Sequence, residues 1–222
     1  MSSYGVLLDF NGTLFFDSHY HELAWKQISK ELRGYELSEE ELREYMNGKN
    51  NAKVIEYIMG KAIDDEENKR YSFKKEALYR KQCLNHPETF HLASGVEACL
   101  DGLITRQIPF TIASASIKEN IDFFVESFHL DRWLDPSLIV YDDGSYPDKV
   151  AMFQEGARRI GVDIHDCIVV EDSISGIRFA HACEVAKIIA MDSTHDQEKF
   201  KQFPYLDCIL NDFTSFPWEL IE

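Results

Sequence analysis

Three polar clusters stand at the ends of apolar runs: Asp9-Phe10-Asn11-Gly12-Thr13, Ser114-Ala115-Ser116 and Glu171-Asp172-Ser173. A lysine, Lys149, opens the helical pattern that precedes the last of these runs. Carboxylates, hydroxyls and one cation make a coherent set. An ionised carboxylate attacks phosphorus only when the repulsion between two anions is cancelled, which a divalent cation and a lysine do together. Mg²⁺ takes oxygen ligands and keeps several waters, so a few carboxylates and a backbone carbonyl suffice. Asp9, the Asn11 carbonyl, Glu171 and Asp172 are the candidate metal ligands. The Ser114 hydroxyl and neighbouring backbone N–H groups, with Ala115 among them, are candidates for holding phosphoryl oxygens, and Lys149 for neutralising their charge.

Those residues need a scaffold that brings distant strand ends together. Short apolar runs at Tyr4 to Asp9, Phe110 to Ser114, Leu138 to Tyr141, Cys167 to Val170, Lys187 to Met191 and Asp207 to Leu210 read as strands buried on both faces. Helical patterns at Gly95 to Arg106, Lys118 to Phe128, Lys149 to Ile160 and Ile174 to Cys183 alternate with them. Alternation of this kind implies a parallel α/β sheet, in which ligands bind beyond the carboxyl ends of the strands. Between the first two strands the pattern changes. Residues 15–85 read as helices at Tyr20 to Leu32, Ser38 to Met46, Ala52 to Met59 and Asp65 to Leu84, an inserted helical cap domain. Asp17 or Ser18 is expected to cap the first of these, and Ser38-Glu39-Glu40-Glu41 forms a capping box for the second. The α/β core domain is then 1–14 with 86–222, and His86-Pro87 is the expected return hinge. Ser116 is expected to cap the helix beginning near Ile117.

Composition narrows the partners. The 222 residues carry 39 Asp or Glu against 23 Lys or Arg, a formal net charge of -16, and such a field repels nucleic acid and anionic membrane. It also repels a small phosphorylated substrate, so a phosphate site here needs a local cation. No apolar run approaches the ~20 residues of a membrane span. The start of the chain lacks a basic, apolar leader, and the five cysteines form no C-x-x-C pair and read as reduced core thiols. A cytoplasmic monomer acting on a small phosphorylated metabolite is the expectation. The histidines show no zinc-ligand spacing, and neither a G-x-x-x-x-G-K-[ST] nor a G-x-G-x-x-G motif occurs.

In order along the chain, DFNGT (Asp9 to Thr13), IASAS with Ser114, Lys149 before a helix and VVEDSISGI with Glu171 and Asp172 resemble the four motifs of the haloacid dehalogenase superfamily. The resemblance is to the branch of β-phosphoglucomutases and sugar-phosphate phosphatases. It implies a Rossmann-like parallel sheet with a helical cap, Mg²⁺ as cofactor, and Asp9 as the nucleophile of an aspartyl-phosphate mechanism. HYHELAWKQI (His19 to Ile28) resembles the first cap helix of that group, which makes His21 a candidate catalytic residue and Lys49 and Lys75 candidates for substrate binding. Two departures stand out. The family's second aspartate, its general acid and base, is Asn11 here, and a carboxamide cannot do that work, which is commonly worth ~10²–10⁴-fold. His21 is the nearest substitute. The lysine of the third motif lies four residues before Phe153 rather than six, implying a two-residue deletion. The Asn11 substitution leaves open an impaired binder of phosphorylated ligands; of the superfamily's other chemistries, C–P cleavage is opposed by the lack of a cap lysine placed for a Schiff base, and C–halogen cleavage by the acidic pair and Gly12-Thr13. Asn11-Gly12 is also the dipeptide most prone to deamidation when flexible.

Overall fold

The computed structural model describes residues 4–46 and 49–221, and the chain divides into two compact units, Met1–Phe16 with Leu92–Glu222 and Asp17–His91. In the first unit, β1 (Gly5–Leu8), β2 (Phe110–Ile117), β3 (Val140–Asp142), β4 (Cys167–Glu171), β5 (Lys187–Met191) and β6 (Cys208–Leu210) form a sheet in the order β3-β2-β1-β4-β5-β6. Every pairing is parallel. Such pairing needs crossovers, which the interleaved α5 (Val96–Thr105), α6 (Lys118–Phe128), α7 (Lys149–Ile160) and α8 (Ile174–Ala182) help to supply.

The strands are apolar because both faces are covered. Val6, Leu7 and Leu8 of β1 and Ile168, Val169 and Val170 of β4 are all fully buried. One core joins Leu7, Ala113, Val140 and Val169 to Phe153 of α7 and Ile177 of α8. An aromatic group of Phe10, Phe15, Phe124 and Phe128 packs on α6, with Phe10 stacked on Phe124 at 4.3 Å. Since β2 and β4 flank β1 on opposite sides, the strand order reverses at β1, and the crevice at its carboxyl end is the place where this architecture exposes a binding site.

β2 continues three residues past the expected Ser114. Ile117 still pairs with Asp142, after a register irregularity that begins at Ala113. Ser116 therefore lies in the strand, and α6 follows Ile117 with no side-chain cap, in place of the expected Ser116 cap.

The second unit holds α1 (Ser18–Arg33), α2 (Glu39–Tyr45), α3 (Asn51–Met59) and α4 (Asp65–Asn85). Trp25 and Ile28 of α1, Leu42 of α2, and Val54, Ile55 and Ile58 of α3 share one apolar core. The Ser38–Glu41 capping box forms as expected, and Asn50 and Asp64 cap α3 and α4. Asp17 takes the N-cap position of α1 without making a cap bond, because its carboxylate accepts from the Tyr79 hydroxyl at 2.6 Å instead. The unit extends to His91 rather than ending at 85. The turn after α4 bonds Thr89 N–H to the His86 carbonyl, and the Thr89 hydroxyl meets that of Tyr20 at 2.6 Å, so His86-Pro87 lies inside the helical unit.

Candidate active site

Strand pairing sets the first two carboxylates side by side. β1 and β4 run in register with Leu8 opposite Val170, and the Asp9 N–H donates to the Val170 carbonyl at 3.0 Å, which carries Asp9 to the position beside Glu171. Asp172 follows. One carboxylate oxygen from each of Asp9, Glu171 and Asp172 lies within 4.8 Å of the others. Lys149, the first residue of α7, reaches into this group: its ammonium is 2.9 Å from Asp9 Oδ1 and also pairs with Glu171 Oε1. The shortened spacing before Phe153 is thus met by a lysine that projects from the first helical turn. Asp148 caps that turn through a bond from the Ala151 N–H.

Burial and charge act against each other here. Asp9 is 5% exposed and Glu171 fully buried, so burial pushes the Asp9 carboxyl up to about 7, with Glu171 adding to the rise and Lys149 opposing it. Burial works against the Lys149 ammonium, but the attraction of Asp9 and Glu171 outweighs it and raises its pKa. Lys149 pairs with two of these three carboxylates, Asp9 and Glu171. Oxygen-only donors with surplus negative charge are the chemistry a hard divalent cation fits, and such an ion would hold Asp9 in its ionised, nucleophilic form.

The turn after β1 is built around the same group. Thr13, Leu14 and Phe15 all donate to the Phe10 carbonyl, and Gly12 has a positive φ of 74°. A side chain at Gly12 would overlap the Asp172 carboxylate, so glycine is needed both for the conformation and for the close approach. Glu171 is similarly confined: it accepts from the Ser173 N–H at 2.7 Å and lies where a Cβ on Gly176 would be.

Asn11 turns its side chain toward β2. Its Oδ1 accepts from the Ser116 hydroxyl at 2.6 Å and lies 3.5 Å from that of Ser114. Ser114 is buried, while Ala115 is exposed. Ser116 was not among the site residues expected from the sequence. Its signal was the spacing Ser-Ala-Ser, which on a strand puts the first and third side chains on one face.

The three candidates of the helical unit are arranged differently. Lys75 is 2% exposed, and its ammonium meets His21 Nδ1 at 2.6 Å and Glu76 Oε1 at 2.9 Å. His21 Nε2 faces Asp17 Oδ2 at 3.0 Å, and its ring stacks on Tyr79 at 4.1 Å. Asn51 Nδ2 donates to Glu76 Oε1, extending the network to α3. Lys49 stays outside it: exposed, it donates to the Glu44 carbonyl and lies over the Tyr45 ring. Asp17, Glu76 and Tyr79 are network members that sequence reading missed, although Asp17–His21 and Lys75–Tyr79 both have the i,i+4 spacing of one helix face.

A family model for haloacid dehalogenase-like hydrolases matches residues 6–190. Among solved structures, the chain is similar to a HAD hydrolase, family IA, variant 3 from Entamoeba histolytica HM-1:IMSS, at 34% identity and a TM-score of 0.92, over 98% of this chain and 97% of that one. Two more distant structures share the fold. They are a β-phosphoglucomutase from Clostridium difficile (18% identity, TM-score 0.75, 100% and 96% covered) and a mutant of CbbY from Rhodobacter sphaeroides in complex with xylulose-(1,5)bisphosphate (16%, TM-score 0.80, 100% of both). With a model match over most of its length and a relative at 34% identity along nearly all of it, the chain belongs to the haloacid dehalogenase-like hydrolase family.

Proposed function

We propose that the protein is a Mg²⁺-dependent phosphohydrolase or phosphotransferase acting on a small phosphorylated metabolite through an aspartyl phosphate at Asp9, in the manner of sugar-phosphate phosphatases and β-phosphoglucomutases. The observation that carries this reading is the convergence of Asp9, Glu171, Asp172 and Lys149 at the carboxyl ends of β1 and β4. Asp9 attacks phosphorus, the bond to the leaving oxygen breaks, and that oxygen takes the electron pair. The Ser114 hydroxyl, the Ala115 N–H and the Lys149 ammonium bind phosphoryl oxygens as charge shifts. Asp9, Glu171, Asp172 and the Asn11 carbonyl would hold Mg²⁺, which supplies Lewis-acid neutralisation of the phosphoryl charge when bound. The phosphorylated sugar held by the CbbY structure supports a metabolite of that general size. Of the three candidates in the helical unit, His21 and Lys75 act as one bonded pair, and Lys49 is an exposed cation apart from them.

The experiment is phosphate release from a panel of phosphorylated metabolites with Mg²⁺ or with chelator. Turnover that needs Mg²⁺ and disappears in Asp9→Ala supports the proposal; turnover that survives Asp9→Ala ends it. The bonds of Asn11 Oδ1 to two serine hydroxyls favour a second reading, a phosphate-ligand binder with impaired turnover. That reading holds if phosphorylated ligands bind without being consumed and Asn11→Asp restores hydrolysis.

A further inference from the structure

We infer that the site is matched to phosphoryl donors whose leaving group is weakly basic: acyl phosphates, phosphoanhydrides, and enol or aryl phosphates. This rests on Asp9 being the nucleophile; it keeps the aspartyl phosphate of that reading but moves the substrate class away from the alkyl esters that sugar phosphates are. When the P–O bond breaks, an alkoxide leaving group needs a proton in the same step, whereas a carboxylate, phosphate or phenolate leaves with the electron pair unaided. The question is therefore which group beside Asp9 can give a proton.

Among the described residues of the acidic group and the turn beside it, none is placed to do so. The Lys149 ammonium is held between Asp9 and Glu171, and Glu171 is fully buried with its oxygens on Lys149 and the Ser173 N–H. Asp172 belongs to the acidic group itself. Asn11, two residues after the nucleophile, is a carboxamide whose oxygen accepts from Ser116, and a carboxamide does not transfer a proton to a leaving oxygen.

His21 does not fill the gap. The ammonium nitrogen of Lys75 can only donate, so His21 Nδ1 is an acceptor and the imidazole proton sits on Nε2, facing Asp17 Oδ2 at 3.0 Å. Both ring nitrogens are committed inside the helical unit, and Asp17 and Glu76 act as positioning residues for the His21–Lys75 pair. With a weakly basic leaving group the chemistry balances: the Asp9 oxygen bonds to phosphorus, and the carboxylate or phenolate departs with the electron pair. Water then displaces Asp9 from phosphorus, giving inorganic phosphate and a proton to solvent. That second step is common to all substrates and follows departure of the leaving group. kcat/KM thus reports only the first.

The test is a free-energy series: kcat/KM for acetyl phosphate, 4-nitrophenyl phosphate, phenyl phosphate and simple alkyl phosphates, with native protein, Asn11→Asp and Asp9→Ala, at fixed Mg²⁺. In the native protein kcat/KM should fall steeply as leaving-group basicity rises, leaving alkyl esters slower than acetyl phosphate by ~10²-fold or more. Asn11→Asp should flatten the series, raising alkyl esters by ~10²–10⁴-fold more than acetyl phosphate. A flat series in the native protein, or an equal gain for all substrates in Asn11→Asp, overturns the inference while leaving Asp9 as nucleophile. Turnover that persists in Asp9→Ala, or none with either native protein or Asn11→Asp, overturns the phosphoryl-transfer reading itself.

Discussion

At Gly176, the third residue of α8, a methyl group would overlap the Glu171 carboxylate. Elsewhere in a helix, Gly→Ala is favourable by ~1 kcal/mol. Here Glu171 has nowhere to go, since it is fully buried and bonded to Lys149 and the Ser173 N–H, and overpacking of this kind costs ~1–3 kcal/mol. Gly176→Ala should therefore lower the urea midpoint and, on the proposed function, weaken Mg²⁺ binding in calorimetry; an unchanged or higher midpoint would remove the close approach. Asn11 makes a second case in which local structure overrides a sequence tendency. Deamidation needs the Gly12 nitrogen to attack the Asn11 amide carbon, but the Gly12 N–H donates to the Phe15 carbonyl at 2.8 Å and the Asn11 side chain is held by Ser116. The mass of the proteolytic peptide holding Asn11 should stay constant in folded protein stored at pH 8 and rise by about one dalton in urea-unfolded protein, the mass difference between NH₂ and OH. Equal rates in both states would show that the turn opens freely.

Among the elements, α2 has its stability tied to pH through one carboxylate. Glu41 is the N3 residue of the Ser38 capping box, and Arg33, the Ser38 N–H and the Tyr57 hydroxyl together hold its carboxyl down at about 2. A carboxylate whose folded pKa lies below the unfolded ~4.3 stabilises the fold fully above that value. The contribution is lost as pH falls from about 4.3 toward 2. Glu41 is 22% exposed, so after solvent screening the contribution is about 1–2 kcal/mol. Hydrogen exchange across residues 17–91 should rise as pH drops through this window, after correction for intrinsic exchange. Glu41→Gln should abolish most of that dependence; a variant that keeps it would assign the effect to other carboxylates. The same box shows what spacing could reveal. Ser38-x-x-Glu41 was legible because capping is local, and the strands because parallel sheets demand continuous apolar runs. Asp9, Glu171 and Asp172 were legible as residues at strand ends, and Ser114 as the residue closing an apolar run, although β2 continues past it. The hold of Ser116 on Asn11 was not, because it depends on β2 running on to Ile117 through an irregular register. Nor was the pairing of His21 with Lys75, which are 54 residues apart and meet only through the packing of α1 on α4.

For the molecule as a whole, the formal charge of -16 would confront the phosphorylated substrate proposed above, which is itself an anion. Repulsion at long range and attraction at short range are screened differently. The buried Lys149 ammonium acts at contact distance, where salt has little effect, whereas the summed field of the exposed carboxylates falls off over a Debye length of ~30 Å at 0.01 M ionic strength and ~8 Å at 0.15 M. Added salt should thus remove more of the barrier to approach than of the binding interaction. With acetyl phosphate at saturating, fixed Mg²⁺, kcat/KM should rise about two- to five-fold as NaCl goes from ~10 to ~150 mM. A neutral viscosity agent at matched osmolality should give no such rise. A fall with salt would mean that the potential at the mouth of the site is positive despite the net charge, and that Lys149, with any cation bound beside it, steers substrate over distances that the surrounding carboxylates fail to cancel.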